Sequence, residues 1–190
     1  MEDERLVELV LDGDDEAFET LHDRYFQQLF QYVYVKTGNY HNAEEIIQDI
    51  FFKMAKNLWR FQGKSSFKTW LFSISQNTIT DYYRKQNKYK KTMAMGHMEL
   101  ENLTEQVPST ESQVVQQDSL DEITKAINRL GPDYRTVLHL RLMEGFSIKE
   151  TSYIMEKTTF AVKSLHNRAK KKLAECLRNE VEEHDKKALR

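Results

Sequence analysis

Apolar residues recur every three or four positions along much of the chain, which is the spacing of an amphipathic α-helix. The first such stripe lies between Asp14, a candidate N-cap residue, and Gly38-Asn39, a pair that favours helix termination. Its apolar positions are Phe18, Leu21, Tyr25, Leu29, Tyr32 and Val33. The pattern therefore predicts one long helix between Asp14 and Gly38.

Two more helices are predicted before residue 92. Asn42, with Glu45 three residues later, fits a capping box that opens the second helix. The predicted inward positions of this helix are Ile46, Ile47, Ile50, Phe51 and Met54. After a loop at residues 63–66, one stripe contains Phe67, Trp70, Leu71, Ile74 and Thr78, and a second contains Phe72, Ile79 and Tyr83. A helix with apolar residues on two sides is expected to lie at the centre of its domain.

The helical periodicity stops between Thr92 and about Gln117, where the chain has no Lys or Arg and contains Pro108. Such a segment is expected to be a flexible acidic linker. A capping box of Ser119 and Glu122 then begins another helical region. The sequence therefore predicts an all-α protein in which two small helical domains are joined by this linker.

Glycine and proline divide the second predicted domain into short helices. Gly131 ends one helix, and Pro132 suits the first turn of the next. This next helix is expected to run as far as Gly145. Its apolar positions are Val137, Leu138, Leu140 and Leu142.

A helix-turn-helix motif is predicted from residue 147 onward. Ser147 and Glu150 form a capping box for a short helix, residues 156–158 form a turn, and a basic helix starts at about Thr159. In this arrangement the second helix enters the major groove of DNA. The predicted inward face of this helix is Val162, Leu165, Ala169 and Leu173. The outward face is Phe160, Ser164, Asn167 and Lys171, with Lys163, Arg168, Lys170 and Lys172 beside it. These side chains suit base edges and phosphates.

Composition narrows the class of protein further. The chain of 190 residues has only 2 Pro, 6 Gly and 1 Cys, which excludes collagen-like, Gly/Ser-rich and disulfide-rich classes. The chain shows no signal-peptide pattern, and no apolar run reaches the roughly 20 residues of a membrane span. We therefore expect a cytoplasmic protein with no direct membrane insertion.

Charge is strongly segregated along the chain, although the net charge is only −2. Residues 1–50 carry 3 Lys or Arg and 13 Asp or Glu, whereas residues 53–91 carry 10 cations and 1 anion. Residues 92–117 have a net charge of −4, and residues 118–190 have a net charge of +3. Two separate basic regions indicate contact with a polyanion at two places.

The first basic region is also rich in aromatic residues. Residues 51–90 hold 10 of the 21 Phe, Trp and Tyr residues, and rings beside cations are typical of single-stranded DNA binding. Trp70 lies on an apolar stripe, so we expect it in the core. For Phe61 and Lys64, beside the glycine loop, a structural role and a DNA contact are equally open. Five cations within residues 84–91 favour a further nucleic-acid contact.

Several short strings in this chain resemble those of one protein family. The first domain has Gly-Asp-Asp-Glu-Ala-Phe at 13–18, Asn-Ala-Glu-Glu-Ile-Ile-Gln-Asp at 42–49 and Phe-Lys-Thr-Trp-Leu-Phe at 67–72. The second has Leu-Gly-Pro-Asp-Tyr-Arg at 130–135, Glu-Gly-Phe-Ser-Ile-Lys-Glu at 144–150 and Ala-Val-Lys-Ser-Leu-His at 161–166. In this order they resemble the extracytoplasmic-function (ECF) class of bacterial sigma factors, the promoter-specificity subunits of RNA polymerase.

The resemblance implies a role for each part of the chain. Residues 1–91 correspond to sigma domain 2, 92–117 to a linker, 118–178 to sigma domain 4 and 179–190 to a charged tail. Domain 2 would bind core polymerase and open the minus-ten element, and domain 4 would read the minus-thirty-five element as duplex. The implied partners are core RNA polymerase, through its β′ clamp and β flap, promoter DNA in duplex and single-stranded form, and an anti-sigma factor.

The resemblance also implies the residues of each site. The clamp-binding set is Glu45, Gln48 and Asp49. The minus-ten set is Phe61, Lys64, Ser65, Asn77, Asp81, Arg84, Lys85 and Lys88. The minus-thirty-five set is Thr159, Phe160, Lys163, Ser164, Asn167, Arg168 and Lys171. Phe160 stands where the family usually has a small residue, so we predict that its ring contacts a thymine methyl group or a sugar.

Other function classes leave part of the pattern unexplained. A stand-alone helix-turn-helix regulator accounts for residues 118–178 but not for the basic aromatic region or the acidic helix before it. A helical adaptor without a DNA role would show no steep salt dependence of DNA binding. An enzyme is disfavoured because the six His residues are scattered and no P-loop, metal-ligand motif or paired nucleophile and base is present. We therefore expect no catalytic residue, no metal and no cofactor.

Overall fold

The computed structural model describes residues 1–94, 126–127 and 129–188, with side chains described at 1–88, 126–127 and 129–178. The chain divides into two compact units, Met1–Pro108 and Ser109–Arg190. Every regular element in the described residues is a helix. The prediction of an all-α protein with two helical domains is therefore confirmed. Most of the predicted linker and the capping box predicted at Ser119 and Glu122 lie outside the described residues.

The described part of the first unit has four α-helices and one 3₁₀ turn. They are α1 (Asp3–Leu11), α2 (Asp15–Thr37), α3 (Tyr40–Asn57), the 3₁₀ turn (Leu58–Arg60) and α4 (Phe67–Ala94). α2 has the predicted bounds. Asp14 Oδ1 accepts a hydrogen bond from the Ala17 N–H at 3.1 Å, and Gly38 ends the helix with a φ of 63°. Gly tolerates a positive φ because it has no Cβ atom.

The N-cap residue of α3 lies three residues earlier than predicted. Asn39 is its N-cap residue, and Asn39 Oδ1 accepts a hydrogen bond from the Asn42 N–H at 2.9 Å. The capping box predicted at Asn42 and Glu45 is therefore wrong, because Asn42 already lies inside the first turn of the helix. The predicted inward positions between Ile46 and Met54 are all buried.

α4 packs against both α2 and α3, as its two apolar stripes predict. Phe67, Leu71 and Phe72 are completely buried. Trp70, expected in the core, is half-buried, and Tyr83 is exposed. The first half of α4 therefore belongs to the core of this unit, whereas residues 83–88 in its second half are exposed.

Residues 129–188 of the second unit contain three α-helices and one π-helical turn. They are α5 (Pro132–Leu138), the π-helical turn (His139–Met143), α6 (Ile148–Ile154) and α7 (Thr159–Ala188). Pro132 occupies the first turn of α5, as predicted. α7 starts at the predicted residue and continues through most of the segment predicted as a tail from residue 179. No helix within residues 1–94 or 129–188 is long and apolar enough to cross a bilayer.

The helix expected to run as far as Gly145 changes form at His139. The Glu144 N–H donates to the His139 carbonyl oxygen at 3.1 Å, and a bond over five residues is the spacing of a π-helix. Gly145 then reverses the chain with a φ of 73°. The wider turn explains why Leu142, predicted on the apolar side, is exposed instead.

Candidate nucleic-acid interfaces

The second unit contains the helix-turn-helix predicted from residue 147. The capping box of α6 is complete, because the Ser147 N–H donates to Glu150 Oε2 at 2.8 Å and the Glu150 N–H donates to Ser147 Oγ at 3.2 Å. The turn places Glu156 at a φ of 51°. Thr158 Oγ1 then accepts a hydrogen bond from the Ala161 N–H at 3.1 Å. These bonds define where α7 begins and the direction in which it leaves the turn.

The inward face of α7 packs against α5 and α6. Val162, Leu165 and Ala169 are buried, and Leu173 is half-buried. All four residues were predicted on this face. Their burial fixes the rotation of α7 about its own axis, so the opposite face is presented to solvent.

The predicted minus-thirty-five residues lie on that solvent-facing side. Six of the seven line one shallow groove: Phe160, Lys163, Ser164, Asn167, Arg168 and Lys171. Thr159, the seventh, is exposed next to the groove in sequence. Phe160 is 82% exposed, which is unusual for a ring of this size. The groove combines an aromatic ring, two neutral polar groups and three cations, a mixture that suits base edges and phosphates.

A buried contact between a His and a carboxylate side chain spans the π-helical turn before the motif. His139 Nε2 is 3.2 Å from Glu144 Oε1, and both side chains are almost completely buried. The Arg141 guanidinium donates to the Phe146 carbonyl oxygen in the same segment. Among the described side chains, no group of three His, Cys, Asp or Glu residues could hold a metal ion. The contact between His139 and Glu144 was not predicted, because the π-helical turn that brings the two residues together has no sequence signal.

His166 lies on α7 beside the exposed groove. Its ring is half-buried, and burial, followed by the nearby cations Lys170 and Arg141, lowers the pKa of this His. Burial removes water that would solvate the charged ring, and the two cations repel its positive charge, so both effects disfavour the charged form.

In the first unit, the loop before α4 is anchored by an aromatic cluster. The Phe61 ring lies edge-on to Phe67, with centroids 5.6 Å apart, and 5.5 Å from the Trp70 ring. Phe61 and Ser65 are half-buried, whereas Lys64 is exposed. Phe61 therefore has a structural role and keeps part of its surface accessible, and Lys64 is placed to meet an anion.

The remaining predicted minus-ten residues form one stripe on α4. They are Asn77, Asp81, Arg84, Lys85 and Lys88. At about 100° per residue they fall within roughly 100° of one another around the helix. Asp81 pairs with Arg84 at 3.2 Å and lies 3.9 Å from Lys53 of α3. The structure thus brings these five residues to one face, and Asp81 links that face to α3.

A groove between α3 and α4 contains the predicted clamp-binding residues. Its lining is Glu45, Ile46, Gln48, Asp49, Phe52, Tyr82, Lys85 and Gln86. The Tyr82 hydroxyl lies 3.4 Å from Glu45 Oε2, and Asp49 pairs with Lys53 at 3.2 Å. Lys85 comes from the predicted minus-ten set. The structure therefore places this residue beside the clamp-binding set, which the sequence did not predict.

Two strongly exposed aromatic residues of the first unit, Phe52 and Trp59, are among those absent from the predicted sets. Phe52 and Trp59 are each 66% exposed, Phe52 in the groove between α3 and α4 and Trp59 in the 3₁₀ turn. Neither lies on the apolar stripe of α3. An aromatic residue off the core stripe is the signal that could have identified both.

Comparison with known families accounts for both units. The model of sigma-70 region 2 matches residues 21–89, and the model of sigma-70 region 4 matches residues 120–173. The ECF RNA polymerase sigma factor SigX of Bacillus subtilis (strain 168) is 29% identical over 171 residues, 88% of each chain. The ECF RNA polymerase sigma-E factor of Escherichia coli (strain K12) is 29% identical over 187 residues, covering 95% of this chain and 94% of the relative.

A solved structure has a similar fold. The sigma factor RpoE from Bartonella quintana, crystallised with the anti-sigma factor NepR, matches with a TM-score of 0.68 and 25% identity. The match covers 85% of this chain and 96% of that one. The similarity extends over both helical units, which a stand-alone helix-turn-helix regulator would not show. The chain belongs to the extracytoplasmic-function subfamily of the sigma-70 family, and it is a sigma factor that binds core RNA polymerase and directs promoter-specific initiation of transcription.

Proposed function

We propose that this sigma factor reads a duplex minus-thirty-five element with the exposed groove of α7. One observation carries the proposal: Phe160, Lys163, Ser164, Asn167, Arg168 and Lys171 share that groove. Ser164 and Asn167 offer hydrogen bonds to base edges, and the cations suit the phosphates on either side. Thr159 adds a contact at the N-terminus of α7, the end of a recognition helix that approaches the bases.

The minus-ten element is held, in this proposal, by the loop at 61–65 and the stripe from Asn77 to Lys88. Residues 50–80 contain 5 Lys or Arg and no Asp or Glu, so a DNA strand meets no repulsive charge from this segment. Unstacking a base step costs a few kcal/mol. Because the protein has no nucleotide-hydrolysis motif, binding of the exposed bases must offset that cost.

The polymerase is proposed to bind at α3. Glu45 and Gln48 are exposed, and they share the groove between α3 and α4 with Asp49. We assign residues 1–91 to binding of the β′ clamp and to minus-ten recognition, 92–117 to a linker, and 118–178 to minus-thirty-five recognition. The β flap is proposed as a second polymerase contact.

An anti-sigma factor is the proposed regulator of this protein. Its support is the similarity to RpoE, which was solved with the anti-sigma factor NepR. Because core polymerase is its working partner, we place the protein in the cytoplasm. We also propose that it acts by binding alone, without a catalytic residue or a cofactor, since every assigned residue serves a contact with DNA or polymerase.

A gel-shift assay with and without core polymerase tests the proposal. The sigma factor with core enzyme should shift a promoter fragment at concentrations where the sigma factor alone gives no specific shift. The complex should weaken steeply with added salt, because phosphate contacts release counterions. Equal binding to the fragment without core enzyme would instead identify a stand-alone regulator.

A further inference from the structure

Trp59 is a large ring held at the surface of the first unit. It lies in the 3₁₀ turn Leu58–Arg60, directly before the loop at 61–65. Although the residue is 66% exposed, its indole Nε1–H donates to the Lys56 carbonyl oxygen at 3.1 Å. The ring is therefore oriented by a hydrogen bond rather than by packing in the core. A ring that is fixed but not buried is suited to a contact with a molecule outside this chain.

Arg60 covers part of this ring. Its guanidinium carbon lies 4.8 Å from the centroid of the Trp59 ring, within the range of a cation–π contact. The exposed remainder of the ring faces solvent. Guanidinium and indole thus form two layers of a stack that leaves room for a third planar group.

The surroundings of Trp59 select the charge of that group. Three exposed cations lie within five residues of Trp59 in the sequence: Lys56, Arg60 and Lys64. No acidic residue occurs from residue 50 to residue 80. An anionic ligand with a planar part is therefore favoured. A nucleotide has both features, since its base stacks on a ring and its phosphate pairs with nearby cations.

We propose that Trp59 stacks on an unpaired base of the opened promoter strand and helps to determine which opened sequence is held. This inference rests on the proposed function, because the base must first be exposed by strand opening. The Nε1 hydrogen bond and the Arg60 contact orient the ring before DNA arrives, which lowers the entropic cost of stacking. Arg60 is also placed to meet the phosphate next to the stacked base.

Binding of a fork-junction promoter DNA by the holoenzyme tests this proposal. The DNA comes from a promoter used by this sigma factor, has a single-stranded minus-ten region and carries a fluorophore. Trp59→Ala should weaken binding about 5- to 150-fold, the range expected for one stacked base. Trp59→Phe should retain most of the affinity, whereas Trp59→Leu, which keeps apolar bulk without a π face, should behave as Trp59→Ala. A duplex that carries the minus-thirty-five element but ends upstream of the minus-ten element has no strand to open, so it should be bound equally by all four proteins.

Tyr40→Ala is the matched control for these variants. Tyr40 is 61% exposed and lies at the opposite end of α3, about 27 Å away by helix rise. This variant should leave binding of the fork-junction DNA unchanged. Melting followed by circular dichroism should be the same for all variants, because the side chains are exposed.

Abasic nucleotides identify the stacked base. Removing one base at a time from the single strand should reveal one position whose loss weakens wild-type holoenzyme but has no further effect on Trp59→Ala. Two results overturn the inference. One is that the loss of affinity from base removal adds to the loss from Trp59→Ala at every position, and the other is that Trp59→Ala binds as tightly as wild type. If wild-type holoenzyme itself binds the fork-junction DNA no better than the duplex, the proposed function fails and the inference fails with it.

Discussion

The hydroxyl oxygen of Tyr82 lies 3.4 Å from a carboxylate oxygen of Glu45, and this contact joins α4 to the exposed side of α3. Tyr82 also donates a hydrogen bond to Asn42 Oδ1 at 3.1 Å. Glu45 belongs to the set proposed to bind the polymerase clamp, and α4 carries the stripe proposed to hold the minus-ten strand. The two proposed functions therefore adjoin each other within one helical unit.

Reversing charge at the proposed clamp site should abolish polymerase binding. The double variant Glu45→Lys with Gln48→Ala is expected to lose about 100-fold or more in affinity for core enzyme, because a like charge placed in an interface costs several kcal/mol. A pull-down or a biosensor titration with purified core polymerase measures this. Both residues are exposed, so the thermal unfolding curve should not change. Glu19→Lys, an exposed charge reversal on α2, is the control, and retained core affinity in the double variant would remove the assignment of α3.

Removing the Phe160 ring should change promoter preference without changing stability. The ring is 82% exposed, so Phe160→Ala should leave the free energy of unfolding within about 0.5 kcal/mol of wild type. Loss of a contact with a thymine methyl group is expected to reduce preference for that base roughly fourfold, or about 0.8 kcal/mol. Selection from a library of minus-thirty-five sequences measures the preference. Tyr153→Ala, which removes a ring that is 54% exposed on α6, should not alter it; an unchanged preference in Phe160→Ala contradicts the predicted contact.

Lys163 and Asn167 should have different effects on DNA binding. Lys163→Ala removes a proposed phosphate contact, so it should weaken binding to all minus-thirty-five sequences alike and reduce the salt slope by about 1. Asn167→Ala removes a proposed base contact, so it should relax specificity at one base pair by about 1–3 kcal/mol and leave the salt slope unchanged. Titrations at several salt concentrations compare the two. The same salt slope and the same specificity in both variants would contradict their assigned roles.

The capping box of α6 should contribute measurably to the second unit. Ser147→Ala leaves the Glu150 N–H without its side-chain acceptor, which is expected to cost about 1 kcal/mol. Ser147→Thr retains the acceptor and serves as the control. Urea unfolding should be followed by circular dichroism at 222 nm, a wavelength that reports helices, because both Trp residues, 59 and 70, lie in the first unit. No difference between the Ala and Thr variants would contradict the role of the cap.

The second unit should lose stability as the pH falls below the ordinary His pKa of 6.5. Burial, and then Lys170 and Arg141, lower the pKa of His166 in the folded state. The unfolded chain therefore takes up this proton at a higher pH than the folded chain, so stability rises with pH between the two pKa values and is complete above 6.5. Urea midpoints between about pH 5 and pH 8 measure the effect. His166→Gln should show a smaller pH dependence, and since His139 is unchanged in that variant, an equal dependence would contradict this role for His166.

The sequence predicts most of the helices because their faces follow simple periodicity. Val162, Leu165 and Ala169 were placed inward and Phe160 outward from the helical period alone, and the structure agrees at each position. The capping box at Ser147 was equally accessible, because it depends on two side chains three residues apart. Such elements can be predicted because the residues that determine them lie within a few positions of one another in the sequence.

Some features depend on a choice between nearby residues or on tertiary packing, and these could not be predicted from local patterns. Asn39 and Asn42 are both good N-cap residues, and only the fold shows that Asn39 takes that position. The π-helical turn at His139, which places Glu144 beside it, also has no local signal. The position of Lys85 beside Glu45 depends on how α4 crosses α3, which is a tertiary property.

Run-off transcription with purified core polymerase tests the central claim most directly. Genomic fragments serve as templates, and the transcripts made with and without this sigma factor are mapped at their 5′ ends. We expect discrete start sites that require the sigma factor and that lie downstream of shared minus-ten and minus-thirty-five elements. Absence of any sigma-dependent transcript, from core enzyme that is active with another sigma factor, would contradict that claim.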